Sequence, residues 1–253
     1  MLSVRVVKIG GNELDRPEWL AACARGLTPL QPVVVVHGGG RAVSALSRQL
    51  ALPVEKRDGL RVTTPPVAAV VELALAGPVN RAVVAALREA GLDALGLSGV
   101  DGGLLTARLA AGGLGHVGEI AAVRAALLES LLLAGLTPVI APMAPGAAGG
   151  VPFNVNADEA AAAVAGALHA AELLFVSDVP GVQLGGTVQP ALDAGDVEQL
   201  IERGAATDGM AVKLRAAAAA LHAGARAVRI GDLDLLGHPS AGTRVVATAG
   251  QPA

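Results

Sequence analysis

Nineteen cationic side chains divide into sixteen arginines and three lysines, so each lysine stands where this chain elsewhere prefers the other cation. Two of the three adjoin glycine-rich turns. Lys8 directly precedes Ile9-Gly10-Gly11-Asn12, and a tight turn of that composition turns backbone N–H groups toward an anion. Lys213 follows Thr207-Asp208-Gly209-Met210, where the start of a helix adds unpaired N–H groups and the positive end of its dipole. A lysine is a compact, mobile point charge, suited to stabilising a phosphoryl group in transfer. A third cluster, Val33 to Val36 followed by His37-Gly38-Gly39-Gly40-Arg41, reads as a strand, a turn and a helix start, which is again an anion cradle.

Two further groups of residues fit the same chemistry. Arg61, in Asp58-Gly59-Leu60-Arg61-Val62-Thr63, has the planar fork that grips a carboxylate through two parallel bonds, although an arginine on a hairpin is more often only solvated. Asn154-Val155-Asn156-Ala157-Asp158-Glu159 puts two amides on a strand end and a carboxylate at a helix start. That arrangement can bind a substrate and orient lysines, and it also suits a plain helix cap by Asn156 or Asp158.

Other chemistries find less support. No Gly-Lys-Ser/Thr occurs, so a Walker-type phosphate loop is absent, and Gly113 to Gly118 match a dinucleotide pattern with neither a strong preceding strand nor the expected acidic residue near position 138. His37, His116, His169, His222 and His238 show no ligand spacing and read as surface or loop residues, so no metal ligand is named. Ser98 lacks the Gly-x-Ser-x-Gly elbow of a serine hydrolase.

The elements that must position these groups alternate along the chain. Short apolar, β-branched runs predict strands near Val4 to Ile9, Val33 to Val36, Ala94 to Leu97, Pro138 to Ala141, Leu173 to Ser177 and Ala227 to Ile230. Runs of helical period predict helices at about Pro17 to Arg25, Arg41 to Leu50, Pro65 to Arg88, Ala121 to Ala134, Asp158 to His169 and Met210 to Ala223. Gly91, Gly135 and Gly224 fall where C-terminal caps belong, and Gly77-Pro78 should break the third helix. This alternation is the pattern of an α/β fold with a mostly parallel sheet covered by helices on both faces. Val54 to Thr63 reads as a hairpin turning at Asp58-Gly59, and Leu104 to Ile120 is a glycine-rich excursion. Excursions of this kind often cover a site.

Composition narrows the partners. One tryptophan, two phenylalanines, no tyrosine and a net charge of −3 offer neither stacking platforms nor a basic footprint, which argues against nucleic acid. The uncharged run from Ser130 to Phe153 is interrupted by Pro138, Pro142, Pro145 and Pro152, so it reads as a helix end, a buried strand and a turn instead of a membrane span. A lone cysteine, Cys23, and an amino terminus without a signal-peptide pattern fit a cytoplasmic protein.

Taken together and in order, Lys8-Ile9-Gly10-Gly11, His37-Gly38-Gly39-Gly40, Asp58 to Thr63, Gly115-His116-Val117-Gly118, Asn154 to Asp158, Ser177-Asp178-Val179-Pro180-Gly181 and Thr207 to Met210 with Lys213 closely resemble the amino acid kinase family, in its acetylglutamate-phosphorylating branch. The resemblance runs from residue 3 to about Thr243. It implies an αβα sandwich with an amino-terminal substrate and dimerisation lobe over 1–153 and a carboxy-terminal nucleotide lobe over 154–253, forming one continuous kinase domain. It implies transfer of the γ-phosphoryl of MgATP to the side-chain carboxylate of N-acetyl-L-glutamate, the second step of arginine biosynthesis, with magnesium held mainly by the ATP phosphates. By matching positions, Gly39, Gly40, Arg61 and Asn154 contact the acid, and Lys8 and Lys213 stabilise the phosphoryl group. Asp158 holds both lysines, and Gly11 lends an N–H to the moving group. Ser177, Asp178, Gly181, Thr207, Asp208, Gly209 and Met210 cradle the nucleotide. The chain departs from the family pattern at Gln183 to Thr187, which carry no acidic residue. The resemblance further implies a homodimer. Because relatives inhibited by arginine carry a helix before the first strand, it also implies no dedicated arginine site. The neighbouring alternatives are a kinase for an aminoadipate derivative in lysine biosynthesis and a silent regulatory homologue that binds ATP or an amino acid.

Overall fold

Apolar runs without alternation form the centre of the sheet, because a strand covered on both faces has no position for a solvated side chain. In the computed structural model, which describes residues 3–57, 59–146 and 151–247, the first such runs are β1 (Arg5–Ile9) and β2 (Val33–His37), with α1 (Pro17–Leu27) between them. There follow α2 (Gly40–Gln49), the hairpin β3 (Lys56–Arg57) and β4 (Leu60–Arg61), α3 (Pro65–Ala74), α4 (Asn80–Glu89) and β5 (Ala94–Ser98). An excursion through β6 (Leu105–Leu109) and β7 (Val117–Val123) leads to α5 (Ala125–Leu133), β8 (Thr137–Ala141), β9 (Met143–Ala144) and β10 (Phe153–Val155). The remainder comprises α6 (Ala157–Ala167), β11 (Glu172–Val176), the small strands β12 (Gln183–Leu184), β13 (Thr187–Val188) and β14 (Ala191–Asp193), then α7 (Val197–Glu202), α8 (Asp208–His222), β15 (Val228–Gly231) and β16 (Thr243–Val246).

Eight strands make the main sheet in the order β14-β16-β15-β11-β1-β2-β8-β5. Every neighbouring pair is parallel except β15 with β16, as the alternating pattern predicts. Alternate residues of the central strands serve opposite faces. Val6, Val34, Phe175 and Ile230 pack with the alanines of α6 and α8, whereas Val7, Val35, Leu174 and Val176 pack on α1 and α4. Small side chains let α6 and α8 approach closely: a Cβ on Gly166 would run into the Cβ of Ala223. A second sheet has the order β6-β7-β10-β9, and its β7 packs against α6.

Most expected elements form within a residue or two of their expected limits. The helix expected from Ala121 is the exception: Ala122 and Val123 complete β7 opposite Thr106 and Leu105, and α5 begins only at Ala125. Cross-strand pairing there overrides the helical preference of alanine, because the β6 partner lies sixteen or more residues upstream and is invisible to local propensity. The helical run from Pro65 to Glu89 is long and apolar enough to cross a membrane by length alone, but half of its apolar window is buried in the protein. It also breaks as expected, with Gly77 leaving helical dihedrals before Pro78. Gly91, Gly135 and Gly224 take φ values of 90°, 79° and 107°, the left-handed geometry of a helix C-cap. The hairpin at 56–61 forms around Gly59, while Asp58 lies outside the described residues. Gly113 to Gly118 turn between β6 and β7 and lead into a strand, not the helix that a dinucleotide site needs.

Candidate active site

The turns leaving the carboxyl ends of β1, β2 and β11 open onto one cleft of about 460 Å³, the place where open parallel sheets bind ligands. The end of β10, the first turn of α6, the start of α8 and the β3–β4 hairpin complete its walls. Of the residues singled out from the sequence, Lys8, Gly11, Gly39, Gly40, Arg61, Asn154, Asp158, Ser177, Asp178, Gly209, Met210 and Lys213 line it. Gly181 and Thr207 do not. Gly181 packs toward Val188 and Thr243, and Thr207 precedes α8 with no side-chain cap bond. Asp208 opens α8, and its side chain lies outside the described residues.

Lys8 shares a strand face with Val4 and Val6, whose partners are α6 and α8, so strand alternation alone aims its ammonium at that helical layer. There it meets Asp158 in the first turn of α6. Lys8 Nζ stands 2.9 Å and Lys213 Nζ 3.0 Å from the same oxygen, Asp158 Oδ1. Asn156 caps the helix by accepting from the N–H groups of Asp158 and Glu159, which fixes where the carboxylate emerges. The cap reading of Asn156 and the ligating reading of Asp158 therefore hold together. Lys213 also lies 5.1 Å above the centre of the Phe175 ring, a cation–π contact on the strand next to Lys8.

All three charged groups are only 7% exposed, so desolvation acts strongly on each. Burial alone would raise the Asp158 carboxyl. Lys8 and then Lys213 reverse that effect and hold it below its ordinary value. Burial and the charge of Lys8 bring Lys213 down to about 8 against the opposing pull of Asp158. One carboxylate thus binds two ammonium groups and leaves one unit of positive charge, a site prepared for a further anion.

Backbone cradles face this charge. Gly10 donates to Val176 O and Gly38 to Ile9 O, both at 2.9 Å, which ties the first two turns to the sheet. A Cβ on Gly11 would collide with the backbone nitrogen of Gly39, so only glycine permits this approach of the two turns. On the opposite wall, Arg61 Nη2 donates to Gly40 O at 2.9 Å and to Ser44 Oγ at 2.7 Å, whereas its Nη1 is buried with no acceptor. Burial, then the charge of Arg48, pulls this guanidinium below its ordinary value. Such a group presents a strong donor to an incoming carboxylate. Asn154 Nδ2 donates to Thr63 Oγ1, and the backbone of His116 links Thr63 O to Asn154 N–H. The Gly115 to Gly118 motif therefore serves to hold Arg61 and Asn154 on one wall. Below them, Thr243 Oγ1 accepts from Val182 N–H and donates to Gln189 O, which anchors the loop after β11.

Two residues at the cleft, Lys56 and Glu13, are not among the candidates from the sequence, and a third, His37, lies elsewhere than expected. Lys56, the third lysine, lies across β3–β4 from Arg61 and lines the cleft, and its place beside the Asp58-Gly59 turn was the available signal. Glu13 also lines the cleft, buried and paired to Arg16 at 2.6 Å. His37, expected at the surface or in a loop, is instead wholly buried at the end of β2, because that strand is covered on both faces to its last residue. Among the described residues no three His, Cys, Asp or Glu side chains gather as a metal site.

The sequence profile of the amino acid kinase family matches residues 3–232. The acetylglutamate kinase of Chloroflexus aurantiacus is 48% identical over 248 residues, which is 96% of this chain and 97% of that one. That of Geobacillus kaustophilus is 45% identical over 219 residues, covering 85% of this chain and 84% of its own. Among solved structures, a protein of Streptococcus mutans UA159 superposes with a TM-score of 0.86 at 30% identity, covering 97% of this chain and 99% of its own. Carbamate kinase from Giardia lamblia bound to AMP-PNP shares the fold, with a TM-score of 0.73 at 15% identity and coverage of 97% and 98%.

Proposed function

The chain belongs to the amino acid kinase family, and from that premise we propose that it is an acetylglutamate kinase, transferring the γ-phosphoryl group of ATP to the side-chain carboxylate of N-acetyl-L-glutamate. The observation that carries the reading is the single oxygen of Asp158 shared by Lys8 and Lys213 at the mouth of the Gly11 and Gly39 turns. The acid has two carboxylates. Arg61, with its free buried Nη1, grips the one that does not react, and Asn154 and the Gly39-Gly40 backbone hold the rest of the molecule. The other carboxylate needs no general base, since it is already an anion. One of its oxygens bonds to the γ-phosphorus as the bond from that phosphorus to the β–γ bridging oxygen breaks, giving an acyl phosphate and ADP.

Catalysis on this reading is alignment plus neutralisation of charge. Lys8 reaches the group from the acid side and Lys213 from the nucleotide side, while Asp158 keeps the two like charges together. Gly11 and Gly39 N–H groups donate to oxygens of the transferring group. Ser177, Asp178, Gly209 and Met210 border the nucleotide, and Gly181, Thr207 and Asp208 shape the loops behind it. Magnesium would neutralise charge on the β- and γ-phosphates and would be held mainly by their oxygens, since of the carboxylates lining the cleft Asp158 is committed to two lysines and Glu13 to Arg16, leaving Asp178 beside the phosphates. On this reading the residues over 1–153, joined by Asn154 at the boundary, bind the acid and the remainder of 154–253 binds the nucleotide. The reading extends to a homodimer in the cytoplasm, where the buried Cys23 thiol, pushed up to about 12 by burial, is inert.

A coupled assay of ADP release with acetylglutamate, acetylaminoadipate, aspartate, glutamate and carbamate as acceptors tests the reading. We expect the highest kcat/KM with acetylglutamate. Preference for the longer acid would move the chain to the aminoadipate branch, and no turnover with any acceptor would leave a binding protein.

A further inference from the structure

His37 and Asn80 make a buried polar pair that phosphoryl transfer, as described above, does not use. Both are 0% exposed, and they come from β2 and from the start of α4 just past the Gly77 break. Asn80 Nδ2 lies 3.0 Å from Val139 O and 3.1 Å from His37 Nε2, while Asn80 Oδ1 accepts from Arg81 Nη2 at 3.0 Å. This amide has one orientation. Flipping it would set its oxygen against the Val139 carbonyl and its NH2 against a guanidinium. The amide nitrogen, which also faces Leu97 O at 3.4 Å, can only donate, so His37 Nε2 presents no proton to it, and Nδ1, 2.7 Å from the carbonyl oxygen of Gly38, carries the ring proton. Gly96 on β5 is where it must be for this to occur, since a Cβ there would run into Asn80 Oδ1.

The Gly38 carbonyl belongs to the peptide unit whose other end is the Gly39 N–H. In a trans peptide the two point in opposite directions. Holding Gly38 O toward the buried imidazole therefore turns Gly39 N–H away from it, and the Gly39 nitrogen is the atom that Gly11 approaches at the cleft. We propose that His37 is a positioning residue for phosphoryl transfer: oriented by Asn80, its neutral imidazole fixes the Gly38–Gly39 peptide so that the Gly39 N–H faces the transferring group. The inference rests on the kinase reading of the cleft. Burial, only partly offset by the bond to Gly38, brings the imidazole down to about 4, so the ring is neutral at pH 7, and its contacts with Gly38 O and Asn80 Nδ2 set the tautomer.

Two variants and one spectroscopic measurement test it. His37→Leu keeps bulk and loses the donor, whereas His37→Asn retains an N–H close to the position of Nδ1. Loss of one preorganised donor in such a site lowers kcat by roughly 100- to 1,000-fold. We expect that loss in His37→Leu with the KM for acetylglutamate changed by less than about threefold, because Arg61 and Asn154 still hold the acid. His37→Asn should recover at least about tenfold of kcat over His37→Leu. Equal impairment of both variants, near-normal kcat in His37→Leu, or a loss confined to KM would overturn the proposal. Long-range ¹⁵N–¹H correlation of the wild-type imidazole at pH 7 stands even where a variant fails to fold. A neutral Nδ1–H ring is expected, and an Nε2–H ring or an imidazolium would overturn the proposal. Wild-type protein that turns over no acceptor would defeat the kinase reading, whereas active wild-type protein with the wrong tautomer would defeat only the positioning role.

Discussion

Lys213 must keep its proton to stabilise a phosphoryl group, and its folded value near 8 puts the loss of that proton within reach of ordinary buffers. The alkaline limb of kcat/KM should therefore fall with a midpoint near pH 8, and saturating ATP should move the corresponding limb of kcat upward, since bound phosphate favours the charged form. A pH profile flat to pH 10 would remove the Lys213 proton from catalysis. The sign for stability is opposite. Below about pH 8 the ammonium is charged in both folded and unfolded chains and its burial is fully unfavourable, whereas between about 8 and 10.5 the unfolded chain binds a proton that the folded one does not, so stability from this group rises with pH. Asp158→Asn should leave Lys8 and Lys213 buried without their counter-ion, bringing Lys213 down further, costing about 3–5 kcal/mol at pH 7 and lowering kcat by orders of magnitude. Urea titrations at pH 7 and 9 check this, with a smaller deficit expected at pH 9, where Lys213 sheds its charge. Arg61→Lys replaces a fork with a point charge, and it should chiefly raise the KM for the acid. An unchanged KM would take Arg61 out of the acid site.

At the scale of elements, the distance between Asp158 and Lys213 is set by how closely α6 packs on α8. Both helices are rich in alanine, and Gly166 of α6 abuts Ala223 just past the end of α8. In an isolated helix Gly→Ala is stabilising by up to about 1 kcal/mol. Here the new methyl has no room, so Gly166→Ala should lower the melting temperature by about 2–6 °C, the consequence of overpacking a close helix pair. Turnover should fall with it, because α6 and α8 carry the two ends of the ion pair. Calorimetry and the coupled assay read both effects, and an unchanged or raised melting temperature would show that the two helices separate freely.

Across the whole molecule, residues before and after position 153 share one sheet and one core. β1 lies between β2 and β11, and one apolar cluster includes Val6, Val34 and Ile140 with Phe175, Leu214 and Val245. Position 153 therefore does not separate two folding units. Unfolding followed by the fluorescence of the single tryptophan, Trp19, and by far-UV circular dichroism should give one coincident transition. ATP at a hundred times its dissociation constant should shift that whole transition by about 2.7 kcal/mol. Two separate midpoints would show that the halves fold alone.

The sequence by itself determined six of the eight strands of the main sheet and most helix limits, since runs such as Val33 to Val36 and Leu173 to Val176 are apolar throughout and glycines mark the helix ends, whereas β14, β16 and the second sheet carried no such signal. It also placed Lys8, the glycine turns, Arg61 and Asp158 among the candidates, because the order of their motifs is itself a pattern. Only the tertiary structure decided that one carboxylate oxygen serves both lysines, that β7 runs on through Val123, and that His37 lies inside the protein facing Asn80. Each of these joins residues far apart in the chain: Lys8 and Asp158 meet only because α6 crosses the face of β1, and His37 reaches Asn80 only because the helix breaks at Gly77. Local periodicity reports which face of an element is apolar, but not which distant element covers that face, and burial, ionisation and tautomer all depend on the covering partner.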